Sequence, residues 1–160
     1  MLMYSPRWLF LYPGGAFMLL GLGIMLWLLP GPRHIGTVEL DIHTMLYAFA
    51  AVILGFQSIL FSIFTKIFTV SEGLQEYDQR FDRLADYLSL EKGLILGTLL
   101  TILGLGGSFY AFFQWEQTSF GPLNPSLIMR IAIPSVMTFV LGIQMVFGSF
   151  FLGILKLNRK

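Results

Sequence analysis

The chain of 160 residues contains no cysteine, which excludes disulfide bonds, thiolate zinc sites and cysteine nucleophiles. Charge is also scarce. Asp, Glu, Lys and Arg make up 12% of the residues, about half of what is typical of soluble domains. The net charge is only +1, and without a concentrated basic face we expect no binding to nucleic acid. These shortages exclude an ordinary soluble domain.

Uncharged apolar sequence is abundant instead. Each of four runs without a charged residue exceeds the ~18 residues typical of a membrane span; these runs are 8–32, 44–65, 93–115 and 131–155. At ~1.5 Å per residue, even the shortest run forms a helix of ~33 Å, which crosses a ~30 Å hydrocarbon core. The sequence therefore predicts a single all-α membrane domain over residues 1–160, with four transmembrane helices at about 8–29, 44–65, 93–115 and 131–155.

The recognised motifs of catalysis are missing. The sequence has no glycine-rich phosphate loop, no Asp-x-Asp pair and no nucleophile elbow. No acid or histidine stands within a predicted span, where a proton relay would need one. His34, Asp41 and His43 cluster between the first two spans, but their spacing matches no metal motif. We expect no metal site, no cofactor and no enzyme activity in this chain by itself.

The distribution of basic residues predicts the orientation. Eight of the ten Lys and Arg residues fall before span one, between spans two and three, or after span four. Only Arg33 and Arg130 fall on the opposite side. Under the positive-inside rule both termini and the 66–92 segment are cytoplasmic. We expect a multi-pass protein of the inner (cell) membrane.

A weak internal repeat links spans two and four. Leu54-Gly55-Phe56-Gln57 is followed by Phe61-Ser62-Ile63-Phe64, and 87 residues later Leu141-Gly142-Ile143-Gln144 is followed by Gly148-Ser149-Phe150-Phe151. The repeat predicts two helical hairpins of the same topology, made of spans one and two and of spans three and four. An inverted repeat of the transporter kind is not indicated.

The segment between spans two and three predicts an amphipathic helix. Leu74, Tyr77, Phe81, Leu84 and Leu88 recur at three- and four-residue spacing, so a cytoplasmic helix from about 74 to 90 has one apolar face. Residues 72–91 contain six acidic and two basic residues, a net charge of −4. A helix that only binds anionic lipid would be basic. The acidity favours contact with a soluble domain over a solvated linker.

Several residues within the spans favour helix packing. Gln57 and Gln144 lie deep in spans two and four, where an interhelical hydrogen bond is the usual partner of an amide, although a lipid or substrate contact is the alternative. Small residues at four-residue spacing predict close helix contacts and a possible homo-oligomer; the pairs are Ala51/Gly55, Gly93/Gly97 and Gly104/Ser108. Glu116 and Arg130 flank the loop between spans three and four, and we expect them to pair.

Short motifs along the whole chain resemble those of a known family. They include Ser5-Pro-Arg-Trp-Leu-Phe-Leu-Tyr-Pro-Gly-Gly15, Leu28-Leu-Pro-Gly-Pro-Arg33, Asp41-Ile-His-Thr44, Leu54-Gly-Phe-Gln57, Leu90-Glu-Lys-Gly93, Phe120-Gly-Pro-Leu123 and Ile133-Pro134. In order and spacing they resemble the C-terminal membrane domain of bacterial family 2 glycosyltransferases of the dolichol-phosphate mannose synthase type. In that family a cytoplasmic domain binds a nucleotide sugar and a divalent metal, and it passes the sugar to a polyprenyl phosphate.

The resemblance implies a membrane module without its catalytic machinery. The family's metal, nucleotide and base residues match nothing in this chain, so a divalent metal is implied only for a cytoplasmic glycosyltransferase domain, in a longer chain or encoded apart. The module would anchor that domain and present polyprenyl phosphate to it. Cations at the cytoplasmic span ends are the candidates for binding the lipid phosphate, although each could be an ordinary positive-inside residue; they are Arg7, Lys66, Lys92 and Lys156.

Two other functions fit the same composition. One is a stand-alone carrier or flippase accessory for lipid-linked sugars, which requires a polar path through the bundle. The other is a structural membrane subunit, for which the small-residue pairs suffice.

Overall fold

A computed structural model describes residues 7–71, 90–116 and 125–157. A π-helical turn at Arg7–Leu11 leads directly into the first helix. The elements in chain order are α1 (Tyr12–Leu28), β1 (Arg33–Ile35), β2 (Val38–Leu40), α2 (Ile42–Ser71), α3 (Leu90–Glu116) and α4 (Pro125–Leu157). The predicted amphipathic helix at 74–90 falls almost wholly outside the described residues and stays a prediction.

The four predicted membrane spans are confirmed as helices. Segments long and apolar enough to cross a bilayer lie at Leu9–Leu28, Ile42–Val70, Leu90–Glu116 and Ser126–Leu155. Many large apolar side chains point away from the protein: Leu19 is 73% exposed and Ile95 is 70% exposed. Such a surface is stable only against lipid, because transfer of each large apolar side chain into water costs about 1.5–3 kcal/mol. The chain is a multi-pass membrane protein.

The four helices form two hairpins. α1 packs along α2, and α3 packs along α4, as the repeat predicts. The hairpins meet where α2 packs against α4, and we call this interface the central seam. Its largest buried cluster joins both hairpins; the buried members are Met25, Leu28, Met45, Ala48, Val52 and Met137. α2 and α4 are therefore the inner helices.

The ends of the helices differ from the uncharged runs. α2 continues through Lys66 to Ser71, and α4 begins at Pro125, ahead of Arg130. Each helix thus includes a basic residue, Lys66 or Arg130, that the sequence predicts to lie at the end of a span. A long side chain lets a cation on such a helix reach the polar interface while its stem contacts apolar groups.

The segment after α1 is not a simple polar loop. Strands β1 and β2 pair antiparallel, with Ile35 opposite Val38, and Gly36 and Thr37 form the turn. Gly36 has φ of 63°, a left-handed conformation that favours glycine. This β-hairpin departs from the predicted all-α fold. Its sequence signal is a glycine turn between β-branched residues.

Candidate functional site

An arginine clamps the two hairpins together at one end of the bundle. Arg130 on α4 forms an ion pair with Asp41, just before α2, and donates a hydrogen bond to the carbonyl oxygen of Leu28 at the end of α1. The Arg130 side chain is 11% exposed and that of Asp41 is 25% exposed. We call this end of the bundle the Arg130 end, and the opposite end the Lys66 end.

The expected Glu116–Arg130 pair is therefore replaced by a contact between hairpins. Because α4 begins five residues before Arg130, the guanidinium lies on a helix that packs against α2. One guanidinium can then bind both a carboxylate and a carbonyl at the end of α1, which also accepts a hydrogen bond from the Gly31 N–H. Asp41, which the sequence places near His34 and His43, has a cation as its partner. Among the described residues there is no group of three metal-ligating side chains.

Glycines set the spacing within each hairpin. A methyl group on Gly55 of α2 would lie 2.5 Å from the Gly14 carbonyl oxygen and 2.6 Å from the Met18 nitrogen of α1. On Gly142 of α4, it would lie 2.7 Å from the Gly97 carbonyl oxygen and 2.5 Å from the Thr101 nitrogen of α3. Only glycine allows the backbones to approach so closely.

These contacts show that the repeat extends to tertiary structure. Residues of α1 and α3 correspond with an offset of 83, and residues of α2 and α4 with an offset of 87. Equivalent residues make equivalent contacts in the two hairpins; the pairs are Gly14 and Gly97, Met18 and Thr101, Gly21 and Gly104, Val52 and Phe139, Gly55 and Gly142, and Ile59 and Val146. The hairpins are thus two copies of one structural unit.

A cavity of about 450 Å³ lies in the central seam. Its eight lining residues form four pairs at the same offset of 87; they are Gln57 and Gln144, Leu60 and Phe147, Phe61 and Gly148, and Phe64 and Phe151. Phe64 and Phe151 meet across the seam as an edge-to-face pair with ring centroids 4.8 Å apart. We call this space the seam cavity. Its volume falls within the ~300–1,000 Å³ range of small-molecule sites.

The two glutamines of the spans both line the seam cavity. The Oε1 atom of Gln144 is buried and accepts no hydrogen bond from any described residue. A buried acceptor without a donor costs about 1–3 kcal/mol. The amide of Gln57 lies across the same cavity and carries a suitable donor. The interhelical hydrogen bonds expected of these amides stay a prediction.

Two departures from the repeat distinguish α2 from α4. Gly148 of α4 stands where the repeat places Phe61 of α2, and a methyl group there would lie 3.3 Å from Cδ2 of Leu60. Lys66 of α2 corresponds to Gly153 of α4, so this cation has no counterpart at the equivalent position of the repeat. Lys66 is 8% exposed. Two residues after Phe64, it lies on a different face of α2 from the residues that line the seam cavity.

The topology brings all four candidate phosphate-binding cations to the Lys66 end. Arg7 precedes α1, Lys66 is near the end of α2, Lys92 is in the first turn of α3, and Lys156 is near the end of α4. Lys92 is exposed, unlike Lys66. The side chains of Arg7 and Lys156 lie outside the described part of the structure. The sequence does not predict the seam cavity, although the repeat between spans two and four shows the difference between Phe61 and Gly148.

Residues 63–156 match the glycosyltransferase family 2 C-terminal transmembrane region. The chain is 30% identical over 154 residues to the low-salt glycan biosynthesis hexosyltransferase Agl6 of Haloferax volcanii, an alignment that covers 96% of this chain and 36% of Agl6. The chain thus spans about a third of the length of that relative. No solved structure matches significantly. The match covers more than half of the residues, and the chain belongs to the glycosyltransferase family 2 C-terminal transmembrane region family.

Proposed function

We propose that this chain is the membrane-anchoring and acceptor-lipid-presenting module of a polyprenyl-phosphate glycosyltransferase. Catalysis and the divalent metal belong to a cytoplasmic domain outside these residues. The observation that carries the proposal is the family match over residues 63–156, which includes Lys66 and the whole α4 side of the seam cavity. The hexosyltransferase relative, aligned over 96% of this chain, supports the same assignment.

The charge distribution supports a defined orientation for this module. The Lys66 end carries the four candidate cations, and we place it at the cytoplasmic face of the inner membrane by the positive-inside rule. A lipid phosphate at this face meets cations at the depth of the headgroups. The acidic segment at 74–90 is proposed to contact the catalytic domain.

Lys66 is the candidate best placed to act on the lipid phosphate. Its side chain is largely buried, whereas that of Lys92 is exposed. A charge-assisted hydrogen bond in a shielded position is worth about 1.5–3 kcal/mol. An exposed cation contributes less, because water screens it.

The test is sugar transfer by the assembled enzyme, made of this chain and its catalytic part. Lys66→Ala is expected to raise the KM for polyprenyl phosphate about tenfold, since ~1.4 kcal/mol corresponds to a factor of ten. Lys66→Arg retains the charge and should restore most of the affinity. That result would show that substitution at this position does not prevent folding. Arg7→Ala should raise the same KM, because Arg7 lies at the same end.

Arg33→Ala provides a matched control. Arg33 lies at the opposite end, where its guanidinium is 5.9 Å from the ring of Trp27, so the KM should not change. An unchanged KM in both Lys66→Ala and Arg7→Ala would remove these residues from the phosphate site. Absence of any sugar transfer to polyprenyl phosphate would refute the proposed function and favour a carrier or a structural subunit.

A further inference from the structure

The β-hairpin at the Arg130 end has two chemically different faces. In an antiparallel pair, directly opposite residues lie on the same face, and successive residues along a strand alternate between the faces. One face is mainly apolar, and we call it the apolar strand face; its members are Arg33, Ile35, Val38 and Leu40. The other, which we call the polar strand face, carries the opposed pair of His34 and Glu39. The hairpin is therefore amphipathic.

Two members of the apolar strand face contact the membrane spans. Leu40 packs against the buried cluster that contains Leu28 and Met45. The guanidinium of Arg33 lies 5.9 Å from the centre of the Trp27 ring. Trp27 and Leu28 belong to the first span, and Met45 belongs to the second. The apolar strand face therefore points toward the membrane, and the polar strand face points away from it.

The other two members of the apolar strand face extend beyond the bundle. Ile35 and Val38 are each 57% exposed. Trp27, which the hairpin contacts through Arg33, is 44% exposed, and Leu29 at the end of α1 is 45% exposed. The exposed apolar surface of the hairpin thus continues the lipid-facing surface of α1.

The depth of the hairpin matches the boundary of the bilayer. The span Leu9–Leu28 has 20 residues, which at ~1.5 Å per residue cover the ~30 Å hydrocarbon core. Trp27 therefore lies at the edge of the core, where tryptophan is enriched. A two-stranded sheet has outer edges whose backbone N–H and C=O groups need water or lipid headgroups as partners. The hairpin can thus lie in the interface but not in the hydrocarbon.

We propose that the β-hairpin is an interfacial anchor in the leaflet at the Arg130 end. Ile35 and Val38 insert among the lipid headgroups and the first acyl carbons, whereas His34 and Glu39 face water. The anchor holds the connection between α1 and α2 at a fixed depth. This inference goes beyond the proposed function and does not depend on it, because it requires only a bundle that spans the membrane.

Spin labels measure the depth of each strand face. The chain has no cysteine, so one introduced cysteine takes the label at a single chosen position. Ile35→Cys and Val38→Cys probe the apolar strand face, and Glu39→Cys probes the polar strand face. Ile95→Cys is the lipid-facing reference, because Ile95 is 70% exposed on α3. The full chain is placed in nanodiscs of phosphatidylethanolamine and phosphatidylglycerol, and the accessibility of each label to oxygen and to a water-soluble nickel chelate is measured.

Oxygen concentrates in lipid and the nickel chelate stays in water, so their accessibility ratio reports depth. The ratio at positions 35 and 38 should be about tenfold higher than at position 39, and lower than at position 95. Equal ratios at positions 35, 38 and 39 would overturn the inference, because the hairpin would then lie in water. Protection of positions 35 and 38 from both reagents would also overturn it, because a protein surface, such as a second copy of this chain, would then cover the apolar strand face.

A matched pair of substitutions provides the second measurement. Ile35→Asn, combined with the label at Val38→Cys, should lower the accessibility ratio at position 38 about threefold, because interfacial binding scales with the apolar area inserted. His34→Asn makes the same substitution on the polar strand face and should leave that ratio unchanged. Equal effects of the two substitutions would contradict the anchor. If Ile35→Asn prevents the hairpin from forming, the ratios at positions 35, 38 and 39 in the singly labelled chains decide.

Discussion

Because the two hairpins have equivalent glycine contacts, the structure predicts the effects of four glycine-to-alanine substitutions. Gly55→Ala and Gly142→Ala place a methyl group against the partner helix, 2.5 Å from the Gly14 carbonyl oxygen and the Thr101 nitrogen respectively. Both should destabilise the bundle, and by similar amounts. Gly23→Ala and Gly106→Ala place it in open space, so neither should destabilise the bundle.

The magnitudes follow from two opposing effects. Backbone atoms cannot move aside as a flexible side chain can, and overpacking of this kind costs about 1–3 kcal/mol. Replacement of glycine by alanine in a helix returns up to about 1 kcal/mol. We expect a net loss of roughly 1–2 kcal/mol for Gly55→Ala and Gly142→Ala, and a gain of up to about 1 kcal/mol for Gly23→Ala and Gly106→Ala.

The assay is equilibrium unfolding of the chain in mixed micelles by titration with sodium dodecyl sulfate. The fluorescence of the three tryptophans, Trp8, Trp27 and Trp115, reports the transition. The free energy of unfolding should fall for the two interface glycines and rise or stay constant for the two lipid-facing ones. The reasoning would be refuted if the lipid-facing variants lost as much stability as the interface variants, or if only one of the interface glycines mattered.

Two further predictions concern the polar groups of the bundle. Arg130→Met leaves the Asp41 carboxylate without its cation and removes one of the two donors to the Leu28 carbonyl, so it should cost about 2–3 kcal/mol. In the same titration, a double-mutant cycle with Asp41→Asn should show coupling, and additive losses would contradict the clamp. Gln57→Leu and Gln144→Leu should be coupled by about 0.5–1 kcal/mol if the two amides form a hydrogen bond, and a coupling energy of zero would exclude that bond.

The spans and their pairing could be read from the sequence, because the constraint that produces them is local. A charge is too costly within the hydrocarbon layer, so the uncharged runs mark the spans. The offset of Leu54–Gln57 and Leu141–Gln144 also predicts the equivalence of the two hairpins, and equivalent glycine contacts support it.

The contacts at the central seam could not be predicted in the same way. Which face of α2 meets α4 depends on the packing of both hairpins, and lipid-facing and buried residues of the spans are similarly apolar. The sequence predicts a pair between Arg130 and Glu116, its neighbour across a loop, but the structure places Asp41 against Arg130. The repeat shows that Gly148 stands where α2 has a phenylalanine. Only the structure shows that this position lines one cavity together with Phe61, Phe64 and Phe151.

The central claim is that this module presents the lipid acceptor to a catalytic domain, and the most direct test compares two acceptors with and without the module. The catalytic part alone should retain transfer to a short, water-soluble isoprenyl phosphate, but it should transfer at least ten times more slowly to undecaprenyl phosphate in bilayers than it does when joined to this chain. Equal rates on the bilayer acceptor with and without this chain would contradict the claim.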